Sequence, residues 1–232
     1  MKTVYLDNNA TTRVAPEVVE AMLPYFSEFY GNPSSMHSFG GNLGIKVREA
    51  RAHIAALLGA QPEEILLTSG GTESDVTAIH AALAAHPHKR HIVTSRVEHP
   101  AIKNLFEQYG KDGYRVSFIP VDREGRIDTA ELFGCLSEDT AVVSMMWANN
   151  ETGVLFPVDE VAAELQARGI VFHTDAVQAV GKVPVDLTRT GVDLLSLSGH
   201  KLHGPKGIGA LYIRKGTKFK PLMVGGHQEQ GR

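Results

Sequence analysis

Cysteine is almost missing from this chain: its 232 residues hold one, Cys135. A disulfide within the chain is therefore impossible, and a cytosolic setting is the expectation. An excess of positive charge is missing too. The 23 lysines and arginines face 26 acidic residues, for a formal net charge of -3. That leaves no electrostatic case for a nucleic-acid partner or an anionic membrane surface. No apolar run is long enough to cross a bilayer. The opening MKTVYLDNNATT lacks the apolar core of a signal peptide. Internal repeats, low-complexity tracts and Ser/Gly linkers are absent as well.

What is present is a foldable α/β pattern. The chain is 43% hydrophobic and 21% charged, enough for one large domain, or one domain with a small appendage. Short β-rich apolar runs predict strands at 65–68, 91–95, 115–119, 141–145, 170–174, 193–197 and 209–213. Most lack alternation, as strands covered on both faces do. Between them lie helical patterns. Leu43, Val47, Ala50, Ile54, Leu57 and Leu58 recur at three- and four-residue steps from Asn42 to Leu58, and Gly59 closes that helix. Pro16 and Pro157 each mark a helix start, and Gly169 a helix end. The alternation predicts a mostly parallel sheet with helices on both faces. Ligands of such sheets bind beyond the carboxyl ends of the strands, so the loops after strands carry the interest.

Five such loops stand out. In Thr68-Ser-Gly-Gly-Thr-Glu-Ser-Asp75, Gly70 and Gly71 allow close backbone approach, and a helix N-terminus follows that can take a phosphate. Thr72 with Asp75 also reads as a capping box on an ordinary strand-to-helix turn. In Val97-Glu-His-Pro-Ala-Ile102, His99 could stack on an aromatic cofactor or move protons, or simply cap a helix. In Trp147-Ala-Asn-Asn-Glu-Thr-Gly153, the asparagines read equally as turn residues and as neutral hydrogen-bond donors. In Phe172-His-Thr-Asp-Ala-Val-Gln178, Asp175 is placed to pair with a protonated ring nitrogen or to cap a helix. A metal reading through His173 and Asp175 lacks an obvious third ligand. The fifth loop, from Leu195 to Gly209, runs Ser198-Gly-His-Lys201 into a glycine-rich turn. A lysine at a strand end among small residues is placed for Schiff-base chemistry. Its GPKGIG run precedes a strand instead of opening a helix, which argues against a dinucleotide fingerprint.

Taken in order, YLDNNATT, GNPSSMHSFG, TSGGTESD, VEHPAI, WANNETG, FHTDAVQAVGK and SLSGHKLHGPKG resemble the cysteine desulfurases, most of all the NifS type. The likeness runs over essentially the whole chain. It implies the large domain of the fold-type I pyridoxal 5′-phosphate (PLP) enzymes, with a seven-stranded, mostly parallel sheet. Residues 1–15 would contribute to the active site, and residues 16–232 would form the cofactor-binding large domain. Carried over position by position, Lys201 would bond the cofactor aldehyde and His99 would stack on its ring and assist proton transfer. Asp175 would pair with the ring nitrogen and Gln178 would contact the ring hydroxyl side. Gly71, Thr72, Ser198, Gly199 and His200 would hold the cofactor, mainly at its phosphate, and Asn150 would contact the substrate carboxylate and the cofactor. The implied substrate is L-cysteine, and the implied products are alanine and a protein persulfide. The implied partners are a second copy of the chain and an Fe–S scaffold protein, with nitrogenase assembly as the expected setting.

The family's nucleophilic cysteine lies on a loop beyond residue 232, and Cys135 does not match it. Cys135 sits in a helical, apolar stretch and reads as structural. The family's C-terminal small domain is also absent, so the chain reads as a truncated, nicked or split form. Such a piece is expected to carry PLP without completing persulfide transfer. A selenocysteine lyase, a class V aminotransferase and a non-catalytic scaffold are the alternatives.

Overall fold

A computed structural model describes residues 3–226 and 228–231. Met1, Lys2, His227 and Arg232, which belong to the terminal segments named above, lie outside the described residues. Seven strands form one sheet: β1 (Ile65–Thr68), β2 (His91–Ser95), β3 (Arg115–Ile119), β4 (Thr140–Ser144), β5 (Val171–Asp175), β6 (Leu194–Ser198) and β7 (Gly209–Ile213). Their order is β1-β7-β6-β5-β4-β2-β3. The run from β6 to β3 is parallel, and β7 alone runs antiparallel, to both of its neighbours. The expected mostly parallel sheet is therefore what forms.

Among the described residues seven α-helices accompany it: α1 (Pro16–Met22), α2 (Pro24–Ser27), α3 (Ser38–Leu58), α4 (Gly71–Ala85), α5 (Pro100–Lys111), α6 (Thr129–Cys135) and α7 (Val158–Ala167). Helices α4 and α5 cover one face. Their Ala78, Ile79, Ala82, Ile102 and Phe106 pack on Leu66, Ile92, Val142, Val171 and Leu194. Helices α3, α6 and α7 cover the other, where Leu58, Leu132, Val161 and Leu165 pack on Ile65, Val93, Val143, Phe172 and Leu195. Successive strand residues point to opposite faces. Both faces are dry, which is why the strands read as continuous apolar runs.

Three strands and one helix differ in their bounds from the sequence reading. β4 starts and ends one residue early, while β5 and β6 start and end one residue late. Asp175 and Ser198 are thus the last strand residues, not the first loop residues, because the ladder continues through Asp175 opposite Ser196 and Ser198 opposite Gly209. Helix α3 begins at Ser38 instead of Asn42. His37 caps it, accepting from the Gly40 N–H at 3.2 Å, so a cap extends the helix through a turn whose glycines disfavour it. The chain leaves α3 through Gly59 at φ 69°, the left-handed conformation expected of its closing glycine.

Candidate active site

The carboxyl ends of β1, β2, β4, β5 and β6 open into a cavity of about 480 Å³. Its lining includes Gly71 and Thr72 from the start of α4, His99 from the start of α5, Asn150, Asp175, Gln178, Ser198, His200 and Lys201. The site residues expected from sequence therefore converge, Gly199 excepted; it lies between Ser198 and His200 but not on the wall. Asp7, Asn9 and Ala10 add a wall from the N-terminal segment.

Each side chain is held for a local reason. Asp175 ends β5, and its Oδ1 accepts the Val177 N–H at 3.0 Å. No helix follows it, so the helix-cap reading of Asp175 does not apply. Burial pushes this carboxyl above the usual aspartate range, while the Val177 N–H, His99 and Lys201 pull it back. Lys201 follows β6 in a 3-10 turn, Gly199–Lys201. Its ammonium donates to the backbone carbonyls of Asn9 and, at 2.9 Å, Ala10. Burial first, then the nearby charge of Lys182, lower its pKa from the ordinary lysine value. A lysine so placed gives up its proton more readily and becomes a nucleophilic amine.

His99 caps α5, its Nδ1 accepting the Ala101 N–H at 3.2 Å. The capping reading is correct, and the ring lines the cavity as well. Gln178 donates to the Asn9 carbonyl at 2.9 Å and accepts from Lys182. His200 Nδ1 lies 3.1 Å from the Thr11 hydroxyl, and burial lowers its pKa, with Lys201 and Lys206 adding to the effect. Asn150 donates to Glu151 at 2.7 Å. Its neighbour Asn149 is the turn former: Oδ1 accepts from the backbone of Glu151 and Thr152, and Nδ2 donates to the Val97 carbonyl. Asn149 thus serves the turn, while Asn150 is the asparagine that lines the cavity.

The capping box at Thr72 and Asp75 does not form. Gly70 is the N-cap of α4, and no side chain caps it. Glu73 instead folds back on the Ser69 N–H at 2.8 Å. The first turn of α4 therefore points uncapped at the cavity, as an anion site requires. A Cβ on Gly71 would come within 2.9 Å of Val177, so only glycine lets this turn approach so closely. Gly209 has a similar duty. A Cβ there would lie 2.7 Å from Gly70 backbone atoms, so the glycine-rich run before β7 lets that strand pass behind the α4 loop.

Asp75, taken for a cap, is instead 1% exposed under the cavity floor. Glu98, in the VEHPAI run, is 6% exposed. It accepts from the Ser95 hydroxyl and the Met146 N–H. A glutamate in a strand-to-helix loop reads as solvated, and nothing else in the VEHPAI run sets it apart. His173 is buried between Ser144 and Ser196, at 2.8 and 2.9 Å. Cys135 ends α6, half-buried, with Sγ donating to the Leu132 carbonyl at 3.1 Å. Burial raises its pKa, and it does not line the cavity.

An uncapped helix start, a buried acid, a histidine and a lysine of lowered pKa suit PLP group by group: phosphate, ring nitrogen, ring face and aldehyde. A seven-stranded, mostly parallel sheet carrying them at its carboxyl edge defines the large domain of a fold-type I PLP enzyme. The chain belongs to the aminotransferase class-V family, whose model matches residues 4–231. It is 60% identical over 232 residues to cysteine desulfurase 2 of Trichormus variabilis, and 57% identical over 233 residues to cysteine desulfurase NifS of Azotobacter vinelandii. In both cases all of this chain matches 58% of the relative, so the chain spans little more than half the length of these proteins. A solved NifS-like protein superposes with a TM-score of 0.96 at 41% identity, over 99% of this chain and 64% of that one. SspA in complex with cysteine superposes at 0.95 and 36% identity, over 99% and 67%. The matched lengths leave the C-terminal small domain of the fold outside these residues.

Proposed function

We propose that the protein is a PLP-dependent cysteine desulfurase, taking sulfur from L-cysteine and leaving alanine. The observation that carries this reading is the convergence of Lys201, Asp175 and His99 on one cavity beside the uncapped α4. The relatives named cysteine desulfurase supply the substrate. Bound PLP would supply an electron sink for the carbon beside the substrate amine. Lys201 would bond the cofactor covalently, and its Nζ is placed to take the proton from the substrate α-carbon. Asp175 would accept the ring N–H and so favour the charged ring. His99 would cover the ring face and assist proton movement, and Gln178 would face the ring hydroxyl. Gly71, Thr72, Ser198 and His200 would enclose the phosphate, with Gly199 holding the turn between the last two. Asn150 meets the substrate carboxylate. Residues 1–15 serve as an active-site wall on the large domain, 16–232.

Sulfur transfer needs a thiolate that attacks the substrate sulfur, breaks the carbon–sulfur bond and becomes a persulfide. Cys135 is outside the cavity, so the nucleophile comes from outside these 232 residues. The 232-residue chain alone is accordingly a cofactor binder without persulfide turnover. A homodimer fits the exposed apolar side chains near the N-terminus, where Leu6 is 87%, Phe26 73% and Tyr30 73% exposed. The NifS-type motifs support an Fe–S scaffold in nitrogenase assembly as the sulfur acceptor, in the cytoplasm. Among the described residues no helix is long and apolar enough to cross a membrane.

The test is product stoichiometry. The full-length protein given PLP and L-cysteine forms alanine and persulfide in equal amounts. Keto acid in place of alanine would replace the desulfurase reading with an aminotransferase.

A further inference from the structure

Behind the cavity floor, the sheet face under α4 changes character along the strands. At its start it presents Val142, Val171 and Leu194. Two residues on, the same face presents Ser144, His173 and Ser196, and then Asp175 and Ser198. Asp75, on the first turns of α4, packs against this polar strip and reaches the cavity lining. It is 1% exposed, and its Oδ1 has no hydrogen-bond partner among the described residues.

The groups facing Asp75 are the wrong ones for an anion. Asp175 from β5 and Glu98 from the β2–α5 connection both act on it as like charges. The strands β1, β4, β6 and β7 bring no charged side chain to it. His173 Nε2 lies 3.5 Å from Oδ1. That ring is fully buried with both nitrogens on serine hydroxyls, and burial pushes its pKa to about 3. It is neutral and supplies no counter-charge. Ser196 alone offers a hydroxyl that favours the charged carboxyl. Asp175, by contrast, has the Val177 N–H, His99 and Lys201 on its side. Two neighbouring buried carboxyls do not both ionise. The proton settles on the one whose anion has less support.

We propose that Asp75 is a positioning residue that holds this proton, so that Asp175 remains the anion presented to the cofactor ring. The proposal rests on the reading of Asp175 as the ring-nitrogen partner. Its chemistry is not that of a cap or of a second counter-ion. Asp75 is a neutral acid beneath a charged one, and its neutrality keeps a second negative charge from forcing the proton onto Asp175.

The test uses the full chain and reads protonation directly. In infrared difference spectra of the cofactor-free protein at neutral pH, Asp75→Asn should remove one neutral carboxylic acid stretch beside the one that buried Glu98 keeps, and Asp175→Asn should remove none. In the PLP-loaded protein, Asp75→Asn mimics the protonated acid and should hold the cofactor within about twofold of the parent. The proposal is overturned by a spectrum unchanged in Asp75→Asn, by loss of the band in Asp175→Asn, or by a larger drop in cofactor affinity in a folded Asp75→Asn protein. Circular dichroism establishes folding for each variant. A parent protein that takes up no PLP would sink the cofactor reading instead, and the infrared comparison would still locate the proton.

Discussion

The two faces of the sheet are built differently. Under α3, α6 and α7 the strands present Val93, Val143, Phe172, Leu195 and Leu197, apolar nearly to their carboxyl ends. Under α4 and α5 the same strands turn polar halfway, from Val142, Val171 and Leu194 to Ser144, His173, Asp175, Ser196 and Ser198. One face is a core throughout. The other is a core at one end and a reaction floor at the other. Stability and chemistry thus share strands but not side chains, since adjacent residues such as Phe172 and His173 point opposite ways. Substitutions should separate the two roles accordingly.

The largest effect belongs to the floor. Lys201→Ala removes the amine that would bond the cofactor, and the visible absorption of lysine-bound PLP should vanish while the far-ultraviolet circular dichroism stays. On the dry face, Phe172→Ala empties a site that is 0% exposed. It should cost about 3–5 kcal/mol in denaturant unfolding, lowering cofactor content only as far as it lowers the folded fraction. An equal loss of cofactor affinity from both substitutions, measured on folded protein, would erase the distinction between the faces.

Asp175→Asn exchanges a charged hydrogen bond to the ring for a neutral one. Cofactor affinity should fall by about 10- to 100-fold, read by equilibrium dialysis, with little change in melting temperature. Glu98 sharpens the comparison through pH. Burial pushes its carboxyl up to about 8, above its value in the unfolded chain. A raised folded-state value means that the associated stability is complete below the unfolded carboxylate range. It is lost as pH rises through that range toward about 8. Glu98→Gln keeps an oxygen for the Ser95 hydroxyl and the Met146 N–H. The melting temperature of the variant should therefore fall less than that of the parent over this interval. Cys135→Ser should do least. Its hydroxyl can still donate to the Leu132 carbonyl, and the change in unfolding free energy should be about 1 kcal/mol or less.

These contrasts follow what the sequence makes legible. The strands were readable because both sheet faces are dry near their starts, so β-rich apolar runs mark them. Their ends were less so. Asp175 and Ser198 look like loop residues, yet they still pair in the ladder. The loops after strands located the cavity, and the lysine, histidine and aspartate motifs named its walls. The residues behind those walls stayed hidden. Asp75 reads as a helix cap because aspartate near a helix start usually is one, and Glu98 reads as solvated because most glutamates are. Only the packing of α4 on the sheet shows Asp75 to be buried, and only the contacts with Ser95 and Met146 show Glu98 to be. The reach of Asn9 and Ala10 to Lys201 is likewise a contact across 192 and 191 positions, which no local pattern displays.

The most direct test of the central claim is borohydride reduction of the PLP-treated protein, followed by peptide mass mapping. A pyridoxyl-phosphate adduct on Lys201, absent from Lys201→Ala, is the expected result. No adduct, or one on Lys182 or Lys206 instead, would contradict the assignment of this cavity as a cofactor site held by Lys201.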